Sequence, residues 1–315
     1  MKFKSYNIFK VIGLFILVWI LCRIDLSATM KILGKSNWIL LTFAVILMFL
    51  SFFCKVLRYQ YILYLQGVKC SLTKTLHITL VSLYLSTITP GRLGEMSKAF
   101  FIHKQTKKSS LSGLLAGSLL DRASDIYVLL LIALFGYLTF NPPTLHSVKT
   151  PLIIILTAMT LLPFAFLIKE LENFFIHTIR WIEKKTSRTN FLSQQLEVFL
   201  SEIRSLTRPK MLNTLAITFI AYLFFFGACY FMATSIYINL SFYKVSFFIA
   251  CTNVVSLLPI SIAGIGTREA VLVYLFSKET LPAESALAFS ILIFSFTYLL
   301  FSIIGFICFL FLKDK

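Results

Sequence analysis

Apolar residues in this chain come in long runs separated by short polar intervals. A helix that crosses a bilayer needs about 20 predominantly apolar residues. Six runs meet or approach that length: Ile8–Cys22, Trp38–Val56, Leu111–Phe140, Leu152–Ile168, Met211–Ile236 and Ala286–Leu312. Each predicts a spanning helix. Pro142, Pro143 and Pro151 bracket a short interval after the third run, as suits a turn between two helices.

Two further runs are short for a span. Leu76–Thr89 meets Pro90, Gly91, Arg92, Leu93, Gly94 and Glu95. Val245–Leu258 meets Pro259 and, further on, Gly264, Gly266, Thr267, Arg268 and Glu269. Each is followed by a second short apolar segment, Met96–Ile102 and Ala270–Phe276. Irregular backbone at membrane depth is tolerated only where protein buries it or water reaches it. The pattern predicts two re-entrant helical hairpins broken at Pro90 and Pro259, with eight spanning helices as the alternative. Span, broken hairpin and span then occur twice in opposite orientation. That is the plan of an inverted repeat, whose interrupted segments mark a binding site. The longest polar stretch, 169–210, carries two amphipathic faces, Leu171, Phe174, Phe175, Ile179 and Ile182, then Leu192, Leu196, Phe199, Ile203 and Leu206. It predicts a cytoplasmic pair of helices lying on anionic lipid, with a helical bundle cap as the alternative.

Composition agrees with that pattern. The chain has 315 residues, 58% hydrophobic and 14% charged, with 33 Phe. Its mean hydropathy is +0.86. A soluble domain is about 45–50% apolar and about 25% charged. A soluble enzyme, a disordered tail and a disulfide-stapled module are excluded, and residues 1–315 read as a single all-α, polytopic transmembrane domain. Lys2, Lys4 and Lys10 precede the first apolar run, but no small-residue cleavage site follows it, so it reads as a retained helix.

Charge fixes the expected orientation. The chain carries 30 Lys and Arg against 13 Asp and Glu, a formal net charge of +17. With the N-terminus inside and both hairpins re-entrant, 21 of the 30 cations fall in cytoplasmic segments, Lys55, Arg58 and Lys98 among them. Six fall outside, and Arg92, Arg122 and Arg268 lie at membrane depth. Cytoplasmic loops are enriched in Lys and Arg. The bias predicts a multi-pass protein of the cytoplasmic membrane with both termini inside. Its basic residues then contact anionic lipid head groups, and no nucleic acid is implied.

The candidate chemistry sits at the breaks. Proline removes a backbone donor and glycine lets the chain turn, so each following segment starts with free N–H groups and a positive dipole end. Such an end suits phosphate or carboxylate. Arg92 and Arg268 add planar forks for a bidentate phosphate contact. Gly91, Gly94, Gly264, Gly266 and Thr267 are candidate head-group contacts beside them. Asp121, Arg122 and Asp125 lie within one turn of the third span. A charge inside a span costs at least about 2.5–3.5 kcal/mol, so ionisable residues there are functional candidates by default. Glu95, Asp121, Arg122, Asp125 and Glu269 are candidates for gating or ion coupling. A purely structural network joining Arg92, Arg268 and the carboxylates is the competing expectation.

Taken together, Thr89-Pro-Gly-Arg-Leu-Gly-Glu95, Asp121-Arg-Ala-Ser-Asp125 and Leu258-Pro-Ile-Ser-Ile-Ala-Gly-Ile-Gly-Thr-Arg-Glu269 resemble the transmembrane region of bacterial lysylphosphatidylglycerol synthase/flippases, including single-module UPF0104-type members. The resemblance covers nearly the whole chain. It implies a lipid-translocating membrane domain whose head group could be an aminoacylated phospholipid or a polyprenyl-linked sugar. No aminoacyl-transferase domain follows Lys315, so lysyl transfer is not expected and the chain reads as a transporter rather than an enzyme.

The alternative is a membrane subunit of a lipid- or glycan-modifying system, such as a phosphatidylglycerol lysyltransferase or a glycosyltransferase. A separate synthase or glycosyltransferase is an expected partner in either case. Gly113-Leu-Leu-Ala-Gly117 fits close helix packing within a chain or in a homo-oligomer. The six Cys form no C-x-x-C, and His77, His103, His146 and His177 lack metal spacing. No metal site or cofactor is expected, and no phosphate-binding loop or nucleophile elbow is present.

Overall fold

The computed structural model describes residues 17–89, 91–106, 110–140, 150, 153–158, 176–178, 180, 191–206, 211–257, 261 and 263–312. Regular structure among them is entirely helical. In chain order the helices are α1 (Leu26–Gly34), α2 (Trp38–Leu65), α3 (Leu72–Ile88), a 3-10 turn (Leu93–Met96), α4 (Ser97–Thr106) and α5 (Leu111–Phe140). They continue with α6 (Phe191–Leu206), α7 (Met211–Ser235), α8 (Phe242–Ser256), α9 (Thr267–Lys278) and α10 (Ala283–Ile293). A π-helical turn (Phe294–Leu299) joins α10 to α11 (Leu300–Leu312) without a break.

Four of these stretches are long and apolar enough to cross a membrane: Trp38–Leu65, Leu111–Phe140, Leu212–Ser235 and Ala283–Phe311. Large apolar side chains stand exposed on α2 (Trp38, Ile39, Phe43, Ile46) and on α11 (Ile303, Ile307, Phe311), as on a surface that lipid covers. This is a polytopic all-α membrane protein. The expected spans Ile8–Cys22 and Leu152–Ile168 lie largely outside the described residues, as does the first amphipathic face of 169–210. The second face falls on α6, which packs against α5 with Leu200 buried.

The contacts between helices fix their directions. Along α2 and α7, Asn37 N–H donates to the Ser235 carbonyl, Phe43 meets Phe231, Arg58 reaches Thr218 and Tyr61 accepts from Asn213. As one number rises the other falls, so the two helices are antiparallel. Along α2 and α5, Gln66 donates to Gly113, Tyr59 pairs with Ser118 and Arg58 reaches Asp121 and Asp125. These are antiparallel too. Hence α5 starts at the end of the bundle where α2 stops, and the intervening α3 and α4 leave that end and return to it.

The second half repeats this at the other end. α7 stops beside the start of α2, and the helix from Ala283 to Leu312 runs parallel to α2, through Thr297 with Met48 and Phe301 with Phe52. α8 and α9 therefore form a second hairpin entering from the opposite side. Two oppositely oriented re-entrant hairpins are present, and the eight-span alternative is not what the chain adopts.

Local detail repeats as well, at positions 170 residues apart. Ser71 caps α3 by accepting Lys74 N–H, and Ser241 caps α8 by accepting Lys244 N–H, each at 3.4 Å. Gly67 and Tyr237 are both left-handed, and Val68→Leu63 and Ile238→Ala233 are matching backbone hydrogen bonds. α5 and the α10–α11 helix each span 30 residues. The packing is exchanged between halves: α3 lies on α11 and α8 lies on α5.

Each hairpin tip is shaped by backbone that few residues adopt. Thr89, which precedes Pro90, is extended and ends α3. Gly91 and Arg92 follow with φ of 62° and 56°, and Ala263 and Gly264 repeat the pair with 53° and 76°. Gly94 lies flat on α3, where a Cβ would collide with the backbone of Leu85 and Ser86. Gly264 likewise faces Ser256, 170 residues from Ser86. The helix breaks Pro90 and Pro259 are outside the described residues.

Candidate functional site

A bilayer interior offers no solvent for charge, so ionisable groups there must pair or face a polar cavity. The deepest pairing starts from Arg58 on α2, which is 1% exposed. Its Nε donates to Asp121 Oδ1 at 2.6 Å, and one terminal nitrogen donates to Asp125 Oδ1 at 2.8 Å and to Thr218 Oγ1 at 3.0 Å. Asp121 and Asp125 share a face of α5 because they lie four residues apart. Lys98 on α4 donates to the other oxygen of Asp121 and stands 4.3 Å from the Tyr59 ring. Lys55, one turn before Arg58, lies 4.0 Å from Asp125 and over the Tyr222 ring. The network ties α2, α4, α5 and α7 together.

Toward the hairpin tips the pairing thins out. Arg122 donates to Glu95 Oε1 at 2.8 Å, and its second terminal nitrogen has no partner among the described residues. Arg92 donates to the Tyr298 hydroxyl and stacks over that ring at 4.7 Å, while its Nε is buried with no partner among the described residues. Tyr298 sits in the π-helical turn, and such turns occur often at functional sites. Arg268, from the other hairpin, lies 5.8 Å from the same ring and 5.1 Å from Phe294. The tip arginines of the two hairpins thus converge on one tyrosine.

Arg268 belongs to a compact second cluster. It donates to Glu269 Oε1 at 2.7 Å and to Ser290 Oγ at 2.8 Å, and Ser290 donates to the same carboxylate oxygen at 2.6 Å. The other oxygen of Glu269 accepts Gly266 N–H at 2.6 Å and so caps α9. Thr267 Oγ1 donates to the Gly264 carbonyl at 3.1 Å and pairs with Ser261. One terminal nitrogen of Arg268 has no partner among the described residues.

A cavity of about 100 Å³ lies inside the bundle, room for a small cluster of waters. Of the residues expected from sequence, Arg92, Glu95, Asp121, Arg122 and Asp125 line it. Gly264, Gly266, Thr267, Arg268 and Glu269 do not, and sit in the adjoining cluster behind Tyr298. Gly91 and Gly94 shape the first tip, and Gly94 N–H is occupied by Thr89 Oγ1 at 2.7 Å. The free N–H groups expected at these glycines are thus spent within the tips at Gly94 and Gly266.

Lys55, Arg58, Lys98, Asn253, Tyr222 and Tyr298 also line the cavity and were not singled out from sequence. Lys55, Arg58 and Lys98, counted above among loop cations, are cavity residues instead. The reason is that α2 continues past Val56 to Leu65 and buries Tyr59, Ile62 and Leu63 on the way. The signal for Lys98 was present, a single cation inside the apolar segment Met96–Ile102. Nor do the charges form one network through both tip arginines. Arg58 and Lys98 take Asp121 and Asp125, Arg122 takes Glu95, and Arg268 takes Glu269. Among the described residues no group of His, Cys, Asp and Glu is arranged to hold a metal ion.

Oppositely directed hairpins whose broken tips meet over a charged cavity define a class: polytopic membrane domains built on an inverted repeat. Residues 8–305 match the family described as the lysylphosphatidylglycerol synthase TM region, and the chain belongs to that family. It is also similar to a UPF0104 membrane protein of Methanocaldococcus jannaschii, with 24% identity over 233 residues, 71% of this chain and 91% of that protein.

Removing one partner of a buried ion pair costs about 3–5 kcal/mol because the other charge is stranded. Arg58→Met is therefore expected to lower the thermal stability of the detergent-solubilised protein sharply. Arg58→Lys should not restore it, since an ammonium lacks the fork that spans Asp121 and Asp125. Thermal unfolding of the three proteins checks this; an unchanged midpoint for Arg58→Met would contradict it.

Proposed function

We propose that this protein moves a lipid with an anionic, phosphate-bearing head group across the cytoplasmic membrane. The observation that carries this reading is the convergence of Arg92 and Arg268 on Tyr298, each with a guanidinium nitrogen that has no partner among the described residues. A buried donor without an acceptor costs about 1–3 kcal/mol, more when charged, and a phosphate oxygen supplies the missing acceptor. The inverted repeat supplies the access. One hairpin opens toward each side of the membrane, so the head group is passed from Arg92 to Arg268 past Tyr298 as the two halves rock. Glu95 and Glu269 hold Arg122 and Arg268 when no phosphate is bound, and release of those pairs is the gate. Asp121 and Asp125 keep Arg58 and Lys98 neutralised throughout. A separate synthase or glycosyltransferase produces or consumes the lipid.

A charge-assisted hydrogen bond is worth about 1.5–3 kcal/mol, or roughly 10- to 100-fold in an equilibrium or rate. Arg92→Gln and Arg268→Gln should each slow translocation of a fluorescent anionic phospholipid in proteoliposomes by at least about tenfold. Tyr298→Phe, which keeps the ring, should lose less. Rates equal to wild type for both arginine variants would overturn the reading.

The orientation follows from the Lys and Arg bias, which survives the removal of Lys55, Arg58 and Lys98 from the cytoplasmic set. Both termini then face the cytoplasm, and the first hairpin enters from that side. Lys104 and Lys278 are exposed at the ends of α4 and α9. In a cysteine-free background, Lys104→Cys should be labelled from the cytoplasmic side only and Lys278→Cys from the outer side only. Labelling of both from one side would contradict the arrangement.

A further inference from the structure

The charge on the cavity wall specifies the head group more narrowly. Five cations line it, Lys55, Arg58, Arg92, Lys98 and Arg122, against three carboxylates, Glu95, Asp121 and Asp125. The wall carries a formal excess of two positive charges among the described residues. The carboxylates are already engaged: Asp121 by Arg58 and Lys98, Asp125 by Arg58 and at longer range by Lys55, and Glu95 by Arg122. What remains without an acceptor among the described residues is cationic: Arg92 Nε and the second terminal nitrogen of Arg122. The Lys55 ammonium is held only at long range, 4.0 Å from Asp125.

Given the lipid-transport reading above, we infer that the head group this cavity takes is a phosphate monoester. A monoester carries about −1.5 to −2 charges at pH 7 and three strong acceptor oxygens. It therefore matches the excess charge and gives acceptors to both idle guanidinium nitrogens, with a third oxygen for the loosely held Lys55. A phosphodiester such as phosphatidylglycerol brings one charge and two free oxygens, and leaves part of the excess unbalanced. A lysylated phosphatidylglycerol carries a net positive charge and places its amines beside carboxylates that are already paired. Burying an uncompensated charge is costly, so the order of preference is monoester, diester, lysylated diester.

The test uses the full-length protein in nanodiscs of phosphatidylcholine. Three probes share identical acyl chains: phosphatidate as the monoester, phosphatidylglycerol, and lysyl-phosphatidylglycerol. Phosphatidate should bind at least about tenfold more tightly than phosphatidylglycerol, one unpaired charge-assisted contact being worth that much. Lysyl-phosphatidylglycerol should bind most weakly. Arg92→Gln, or Lys55→Gln should the first fail to fold, should erase the preference. Millimolar inorganic phosphate should not displace phosphatidate; full displacement would assign the site to soluble phosphate and overturn the lipid monoester. Equal binding of phosphatidate and phosphatidylglycerol, both weakened by Arg92→Gln, would overturn the monoester and leave the transport reading standing. Tightest binding of lysyl-phosphatidylglycerol would also overturn it. Binding of all three lipids that ignores both variants would remove the monoester and the transport reading together.

Discussion

A guanidinium inside a lipid-facing bundle must be neutralised, and the rest of the structure is arranged around how Arg58 is. Two carboxylates and a threonine from two other helices close on it, and Lys98 from the first hairpin closes on one of those carboxylates. The contact orders α2, α4, α5 and α7 in one step. A buried ion pair is weak evidence for stability in itself, since apolar packing often serves as well. Its value here is positional. With Asp121 and Asp125 occupied by Arg58 and Lys98, the arginines nearer the tips keep donors free for a ligand.

The inverted repeat explains why those donors meet. α2 and α7 run antiparallel, so equivalent hairpins enter from opposite ends and stop where their tips touch the same helix. The tips are held in costly backbone. Arg92 is a left-handed residue without the freedom of glycine, a conformation that costs about 1–2 kcal/mol. Tyr298 sits in a π-helical turn within an otherwise continuous helix. A left-handed arginine meeting a π-helical turn is what a site under geometric demand shows. The two halves are not equal, however: among the described residues only the first contributes buried aspartates to the cavity.

Much of this plan was legible in the chain. Apolar run length located all four of the long helices described, and the Pro/Gly interruptions located both hairpins. Their re-entry was legible because the segments after each break are too short to cross. Helix ends were less legible: hydropathy stopped α2 at Val56 because Lys55 and Arg58 look like a loop, and nothing local tells that aspartates more than 60 residues away neutralise Arg58. The tip residues were legible as a set of candidates, but their division into a cavity group and a cluster behind Tyr298 depends on how two hairpins meet. Gly94 and Gly266 were read as ligand contacts because free N–H groups follow a break. Thr89 and Glu269 take those N–H groups first. Tyr298 carried no signal at all, being one tyrosine among 13 in a long apolar helix.

An anionic lipid head group is proposed to sit in the cavity at Arg92 and to pass to Arg268 in the adjoining cluster. Mass spectrometry of the lipids that co-purify with the protein, wild type beside Arg92→Gln/Arg268→Gln, tests it most directly. The account predicts that one phosphate-bearing lipid class is enriched on wild type above its share of the membrane and that the enrichment is lost in the double variant. Lipids that match the bulk membrane in both samples would contradict it.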